Sequence, residues 1–159
     1  MKLKAVELSD AALEGIGFVV TPRQRPVVAK GTDFMYADTR KDLGLEGPLS
    51  SGSLECAPRP MTVTRMERHL KTREMLVALD GDAVVCCAPP QEPSGNALHG
   101  VTALTVRSGE SFVLETGAWH WIPFPRGRRT ARFLVVFRSA TGINDLHFCD
   151  FDEPCSITG

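Results

Sequence analysis

The chain has 159 residues, 43% of them hydrophobic and 23% charged, and its formal net charge at pH 7 is −1. This length and composition suit one soluble globular domain with a sizeable core. The near-zero charge gives no electrostatic basis for binding nucleic acid or an anionic membrane surface, and no apolar run approaches the roughly 18 residues of a membrane-spanning helix.

The first sixty residues predict little regular structure. The N-terminal residues lack the apolar stretch of a secretory signal, so we expect a cytoplasmic location. Residues 9–20, SDAALEGIGFVV, predict a short helix capped by Ser9 that runs into a strand. Residues 21–60 are rich in proline and glycine, and we expect them to be irregular chain with short strand pieces, wrapping over a core.

From residue 61 to residue 150 the sequence has the residue pattern of an all-β protein. Short segments rich in Val, Leu, Thr and Phe follow one another, most of them bounded by Gly, Pro or Asp, and the stretches DGD, SGE and PRGRR suit hairpin turns. This pattern predicts a small antiparallel barrel or sandwich. Residues 89–100 form a long polar loop in the series, and we expect residues 151–159 to be an acidic tail on the surface.

The five cysteines are an odd number with no framework spacing and no CxxC pair. This usage indicates buried, reduced thiols in a cytoplasmic protein rather than a structural zinc site or a redox motif. The five are Cys56, Cys86, Cys87, Cys149 and Cys155.

The segment LETGAWHWIPF, residues 114–124, contains both tryptophans of the chain with a histidine between them. Strand alternation places Trp119 and Trp121 on one face and His120 on the other. The tryptophans are either a stacking wall of a pocket or a packing layer on the outer face. Packing is favoured if His120 points inward.

Two spaced motifs carry the candidate chemistry. In the first, Glu67 and His69 are two residues apart, and Glu74 and Gly81 follow at intervals of five and seven residues. The second runs from Gly109 through Glu115 and Gly117 to His120. The pair resembles the two motifs of the cupin superfamily, G-x5-H-x-H-x3,4-E-x6-G and G-x5-P-x-G-x2-H, with Glu67 at the first His position and Glu115 at the Pro position.

The resemblance implies an all-β fold, a cupin-type antiparallel β-barrel (a double-stranded β-helix or jelly roll) with a short N-terminal helix. We expect one cupin-like domain over residues 1–159, with an N-terminal wrap over 1–60, a barrel core over 61–150 and a tail over 151–159. In cupins the four ligand positions converge inside the barrel and hold one divalent metal ion. Here they would be Glu67, His69, Glu74 and His120, a set that suits Mn, Fe, Ni or Zn. A polar pocket without metal is the open alternative.

The chain is also similar to a narrower group, the ureidoglycolate lyase family, whose older name is ureidoglycolate hydrolase. The likeness runs over MKLKAVELSDAALEGIGFVV at the N-terminus, MTVTRMERH at 61–69, GAWHWIPF at 117–124 and RFLVVFRSATGINDLHFCDFDE at 132–153. It implies a homodimeric enzyme that cleaves the small molecule ureidoglycolate to glyoxylate and urea in purine (allantoin) breakdown. No nucleic-acid or membrane partner is expected.

The same resemblance supplies candidate roles. The reaction needs a general base and an acid or Lewis acid, and the candidate catalytic residues are Glu67, His69, Glu74, Glu115 and His120. Cations would hold the substrate carboxylate. Arg65 and Lys71 share the strand parity of Glu67 and His69, and Arg73, which precedes Glu74, is the third candidate.

Several residues depart from the family pattern. Glu115 and Trp121 stand where the family has histidine, Glu74 stands where it has Gln, and Leu70 stands where it has Pro. These changes make the pocket more acidic and disfavour an anionic substrate unless a metal or an Arg compensates. The alternative function is a diverged cupin with another substrate, either a metal-dependent enzyme or a non-catalytic module that binds a small molecule.

Overall fold

The computed structural model describes residues 2–20, 27–38 and 42–159. Within these residues the chain forms fifteen strands and one short helix, which confirms the all-β prediction. The elements are β1 (Lys2–Lys4), β2 (Val6–Glu7), β3 (Gly17–Val19), β4 (Val27–Lys30), β5 (Met35–Ala37), β6 (Leu49–Cys56), β7 (Thr62–Arg68), β8 (Glu74–Asp80), β9 (Ala83–Ala88), β10 (Thr102–Val106), β11 (Ser111–Leu114), β12 (Trp119–His120), β13 (Phe124–Pro125), β14 (Ala131–Arg138), α1 (Thr141–Asn144) and β15 (His147–Thr158).

Two sheets form the barrel. The larger has the order β1-β15-β7-β12-β9-β10-β2, with β13 also paired to β9, and the smaller has the order β3-β11-β8-β14-β6. β7 and β8, which are consecutive in the chain, lie in different sheets. The pairings are antiparallel except at the ends of the larger sheet, where β1 pairs with β15 and β2 with β10 in parallel.

The main hydrophobic core lies between the sheets. It unites buried side chains of β8, β11 and β14 with those of β9 and β10, and Leu13 and Ile16 of the N-terminal segment pack into it. Full burial of one such Leu or Phe side chain is worth about 1.5–3 kcal/mol relative to exposure. This shared core packs the two sheets against each other.

A second core covers the outer face of the larger sheet. Val84, Cys86 and Ala88 of β9 face it, whereas Val85 and Cys87 of the same strand face the main core. Leu98, from the loop expected at 89–100, packs on this outer face. Both faces of β9 are therefore buried, which explains why its sequence is a continuous apolar run.

The helix expected within residues 9–20 is instead a series of hydrogen-bonded turns over residues 10–16, so this part of the prediction was wrong. Ser9 does behave as a cap, because its Oγ accepts the Ala12 N–H at 3.2 Å. Gly15, near the end of the turns, has a φ of +71°, and a second glycine, Gly17, opens β3. Two glycines this close stop a helix from extending.

The segments at both ends of the chain are more regular than expected. Within 21–60, β6 is an eight-residue strand that pairs with β14 along its whole length, so it is part of the barrel and not a covering loop. Residues 27–38 form the β4–β5 hairpin, while residues 21–26 and 39–41 of the expected wrap lie outside the described residues. The expected tail is also a strand, because β15 continues to Thr158 beside β7 and β1.

None of the helices that the structure describes has the length and apolar character needed to cross a membrane.

Candidate metal and active site

Three strands bring the candidate ligands together. Glu67 lies near the end of β7, His69 follows that strand directly, and Glu74 is the first residue of β8 in the opposite sheet. His120 ends β12 and is the cross-strand neighbour of Glu67. The site is therefore where the two sheets meet.

Alternation along β12 separates the tryptophan from the histidine, as the sequence predicts. Trp119 is 1% exposed in the outer core. Its Nε1–H donates to the Gln91 carbonyl at 3.0 Å, and the Arg68 guanidinium lies 4.6 Å from its ring centroid. With Trp119 held on the outer face, His120 must point into the barrel.

The four expected ligand side chains form one compact cluster. Glu74 Oε2 lies 2.9 Å from His69 Nε2 and 3.2 Å from His120 Nε2, and Glu67 Oε1 lies 3.8 Å from His120 Nε2. His69, Glu74 and His120 are buried, while the Glu67 side chain is 21% exposed. Glu67 is thus the member of the cluster that is most accessible from outside.

Backbone carbonyls fix both imidazoles. His69 Nδ1 is 2.7 Å from the carbonyl oxygen of Asp145, and His120 Nδ1 is 3.3 Å from that of Ala118. A carbonyl only accepts, so Nδ1 carries the proton in both rings and Nε2 is directed toward the cluster. This is the tautomer and orientation that a metal-binding histidine needs.

Asp145 is a structural residue of the site that the sequence did not reveal. Its side chain is fully buried, and its two carboxylate oxygens accept the N–H groups of Leu70 and Lys71, each at 2.9 Å. The same residue supplies the carbonyl that holds His69. Asp145 therefore joins the segment after α1 to the turn that carries His69, a contact across 76 residues that no local pattern predicts.

Mutual attraction shifts the pKa values of Glu74 and His120 in opposite directions. Burial by itself raises the pKa of Glu74, but the charge of His120 and the hydrogen bond and charge of His69 outweigh it and lower the pKa to about 2. Burial likewise lowers the pKa of His120, but Glu74, with a contribution from Glu67, raises it to about 9. Without a metal, the pair is therefore an ion pair at neutral pH.

The cluster fits a divalent transition-metal ion. One ligand atom each of Glu67, His69 and His120 lies within 4.8 Å of the others, and Glu74 Oε2 is within 3.2 Å of both imidazole Nε2 atoms. His120 Nε2 is fully buried and, among the described residues, has no hydrogen-bond partner of good geometry despite its closeness to Glu74. Nitrogen and carboxylate donors of this kind suit Mn, Fe, Ni or Zn.

A cavity of about 300 Å³ opens onto this cluster. Leu54, Leu76, Val135 and Phe137 supply much of its wall, and the Phe137 ring stacks on His69 with the ring centroids 6.1 Å apart. Trp121 also lines the cavity, together with packing against the outer core. Of the two roles left open for the tryptophans, Trp119 has the favoured one, packing on the outer face, whereas Trp121 has both.

The structure places the candidate substrate-binding cations outside this cavity. Arg65 forms a two-point ion pair with Asp150 on the neighbouring strand β15 and is exposed. Lys71 Nζ donates to the carbonyl of Asn144 at 3.1 Å and is also exposed. Neither side chain lines the cavity, although both residues share the strand parity of Glu67 and His69.

Arg73 and Glu115 form a separate ion pair. Arg73 Nε donates to Glu115 Oε2 at 2.7 Å, and the two side chains are 27% and 35% exposed. Neither lines the cavity that contains the cluster. Glu115, which stands where the family has histidine, therefore compensates the charge of Arg73 and does not add to the charge of the candidate metal site.

The strand order and the position of the cluster define the class of the protein. Two sheets form a nearly closed barrel, and the ligand positions of two motifs meet inside it on β7, β8 and β12, which is the arrangement of a cupin. The model of the ureidoglycolate lyase family matches residues 1–158, and the chain belongs to this family.

Several solved structures resemble the chain. Oxalate decarboxylase of Lactobacillus farciminis, in a formate complex, is 21% identical over 57% of this chain and 24% of its own, with a TM-score of 0.43. A dTDP sugar isomerase of Desulfovibrio desulfuricans G20 is 14% identical over 86% of this chain and 78% of its own, with a TM-score of 0.47. The chain spans about a quarter of the length of the oxalate decarboxylase. No curated protein sequence matches it closely enough to count as a relative.

Proposed function

We propose that this protein cleaves ureidoglycolate to glyoxylate and urea. The observation that carries the proposal is the cluster of Glu67, His69, Glu74 and His120 at the base of a cavity, in a chain of the ureidoglycolate lyase family. The reaction breaks the bond between the carbinol carbon and the ureido nitrogen. The hydroxyl loses its proton as the aldehyde forms, and the departing nitrogen gains one, so atoms and protons balance without water or a redox partner.

We assign the proton transfer to Glu67. Its carboxylate is the most accessible of the four and the least closely paired, since its only ionic neighbour among the described residues is His120 at 3.8 Å. Such a carboxylate can accept the hydroxyl proton and then return it to the departing nitrogen. Glu74 cannot do this as readily, because both imidazoles hold its Oε2 atom.

His69, Glu74 and His120, with Glu67 at the edge of the cluster, would hold a divalent metal ion, which would supply Lewis-acid polarisation of a substrate oxygen. The two backbone carbonyls that fix the imidazoles keep this set in place before substrate arrives. The metal is therefore proposed as Mn, Zn, Fe or Ni, the ions that this donor set accommodates.

The test is a glyoxylate-release assay together with metal analysis of the purified protein. Ureidoglycolate also decays without enzyme, so the measured rate is the excess over that background, with chelator and after addition of each of the four metals. Glu67→Gln is expected to lower kcat by about 100-fold or more. Its matched control is Glu55→Gln, an exposed position of β6. No release above background under any metal condition would overturn the proposal.

A second function is favoured by the composition of the cavity wall, which is largely apolar. Such a wall suits a diverged cupin that binds or transforms another small molecule. Metal binding that depends on His120, found together with no turnover of ureidoglycolate, would select this alternative.

We also propose that the chain is one cupin-like domain that acts in the cytoplasm as a homodimer. The family resemblance supports the dimer. Light scattering on the purified protein tests it, and a mass near 17.3 kDa would contradict it.

A further inference from the structure

The cavity presents two chemically different regions. At its base are the carboxylates and imidazoles of the cluster, whereas its walls are mainly aliphatic and aromatic. The smaller sheet supplies much of this wall, with Leu76 on β8, Val135 and Phe137 on β14, and Leu54 on the edge strand β6. Ile122 and Leu146 continue the apolar surface toward solvent, where they are 38% and 39% exposed.

This wall is a poor match for ureidoglycolate as a whole molecule. The reacting carbinol, with its hydroxyl and carboxylate, suits the polar base. The terminal NH₂ of the ureido group would then lie mostly against hydrocarbon, where a hydrogen-bond donor without a partner is destabilising. A cavity of about 300 Å³ is also at the lower end of the range for drug-sized ligands, which are larger than ureidoglycolate.

We infer that the preferred substrate carries an apolar acyl group on the carbinolamine nitrogen, in place of the carbamoyl group of ureidoglycolate. The protein would then cleave N-acyl-α-hydroxyglycines to glyoxylate and a carboxamide. The same C–N bond breaks, the hydroxyl proton moves to the departing nitrogen, and a C=O bond forms, so the reaction needs no oxidant and no water. The inference rests on the proposed C–N lyase chemistry and adds the class of substrate.

Binding of unreactive analogues tests the wall separately from the chemistry. N-Carbamoylglycine, N-acetylglycine, N-isobutyrylglycine and N-benzoylglycine all lack the hydroxyl group and cannot be cleaved. Titration calorimetry of the purified protein, with its metal content measured, is expected to show affinity rising by about tenfold or more from the carbamoyl to the isobutyryl compound. Equal or weaker affinity for the apolar compounds would overturn the inference.

A wall variant makes the test specific. Leu54→Ser introduces a hydroxyl into the wall without touching the cluster, so it is expected to remove most of the preference for the isobutyryl compound while binding of N-carbamoylglycine is retained. Leu49→Ser is the matched control, because Leu49 lies on the same strand, is 45% exposed and does not line the cavity. Retention of the preference in Leu54→Ser would also contradict the inference.

A turnover assay distinguishes two outcomes: that the inferred substrate class is wrong, and that the proposed lyase function is wrong. The reactive N-isobutyryl-α-hydroxyglycine is expected to release glyoxylate with a higher kcat/KM than ureidoglycolate. Turnover of ureidoglycolate without an acyl preference would leave the proposed function standing and overturn the substrate class. An acyl preference in binding without glyoxylate from either compound would overturn the lyase reaction instead.

Discussion

His120 is the single residue on which the candidate metal site depends most. Its Nε2 atom is buried and has no hydrogen-bond partner of good geometry among the described residues, yet it lies within 3.8 Å of two carboxylate oxygens. A buried donor or acceptor in this condition is costly unless something satisfies it. A metal ion bound by the cluster would do so.

Replacement of His120 by alanine is expected to weaken binding of Mn²⁺ or Zn²⁺ by more than about 100-fold, because even partners outside the ligand set are worth about 10–100-fold in metal affinity. The measurement is a competition titration with a chromophoric chelator. His99→Ala is the control, since His99 is an exposed residue of the loop after β9. Equal losses in the two variants would show that the cluster is not the metal site.

The opposite pKa shifts of Glu74 and His120 predict how the stability of the metal-free protein depends on pH. The raised pKa of His120 stabilises the fold fully below its ordinary value of 6.5, and this contribution is lost as pH rises toward about 9. The lowered pKa of Glu74 stabilises the fold above its ordinary value of 4.5, and this contribution is lost as pH falls toward about 2.

The contribution of the pair is therefore largest between pH 4.5 and 6.5. Thermal unfolding with excess chelator should show the difference in Tm between the native protein and His120→Gln shrinking as pH rises from 6.5 to 9. A difference that is constant across this range would contradict the ion pair.

Strand alternation explains why the clustering of the ligand candidates could be predicted. It does not predict the ion pair that keeps Arg65 outside the cavity. The two-residue period places Glu67 and His69 on one face, and the resemblance to the cupin motifs implies that this face and His120 point into the barrel. The same parity applies to Arg65, but parity does not tell whether the opposite sheet covers that position or whether a neighbouring strand offers a counter-ion. Asp150 on β15, 85 residues later, binds Arg65, and only the fold reveals this pairing.

At the scale of elements, the segment that joins β14 to β15 supports the turn between β7 and β8. Thr72 Oγ1 accepts the Arg138 N–H at 3.1 Å, and Thr141 Oγ1 donates to the Arg138 carbonyl at 2.6 Å. Asp145 completes the connection by accepting two N–H groups of the turn. The position of His69 therefore depends on a segment far from it in sequence.

Asp145→Ala is expected to destabilise the protein by about 0.5–1.5 kcal/mol for each of the two backbone hydrogen bonds that it removes, and to weaken metal binding through His69. Chemical denaturation and chelator competition measure the two effects. Asp150→Ala, which removes an exposed carboxylate, is the control and should change both little. Asp145→Asn retains one acceptor oxygen, so its stability and its metal affinity should lie between those of the native protein and of Asp145→Ala. Unchanged metal affinity in Asp145→Ala would show that the segment does not position His69.

The central strands were predictable because their sequence alternates or is continuously apolar between turn residues. β6 was missed because LSSGSLEC is mostly polar and has no such pattern. It is an edge strand whose order comes from eight backbone pairings with β14. Similarly, β15 extends through the expected tail because β7 offers it a partner, a reason that is tertiary rather than local.

At the scale of the whole molecule, the candidate metal site would join the two sheets. Glu67 and His120 belong to the larger sheet and Glu74 to the smaller one, with His69 in the connection between them. A ligand that binds only this assembled arrangement stabilises the folded state by mass action. The free energy of unfolding should therefore depend on the concentration of free metal.

Addition of Mn²⁺ or Zn²⁺ at about 100 times its Kd is expected to stabilise the fold by about 2.7 kcal/mol, which raises Tm by about 5–10 °C for a chain of this size. Differential scanning fluorimetry measures the shift. Mg²⁺, which prefers oxygen ligands, should have a smaller effect. The shift should vanish in His120→Ala, and its persistence there would place the metal elsewhere.

Burial of β9 on both faces also has a chemical consequence for its two adjacent thiols. Burial raises the pKa of Cys86 to about 12 and raises that of Cys87 further, and the other three cysteines are buried as well. Only thiolates react readily with alkylating or disulfide reagents, so the folded protein should be nearly inert toward them. Each cysteine becomes reactive only when its part of the barrel opens. The rate of thiol labelling therefore reports how often the barrel opens, and labelling at each cysteine shows which strands separate first.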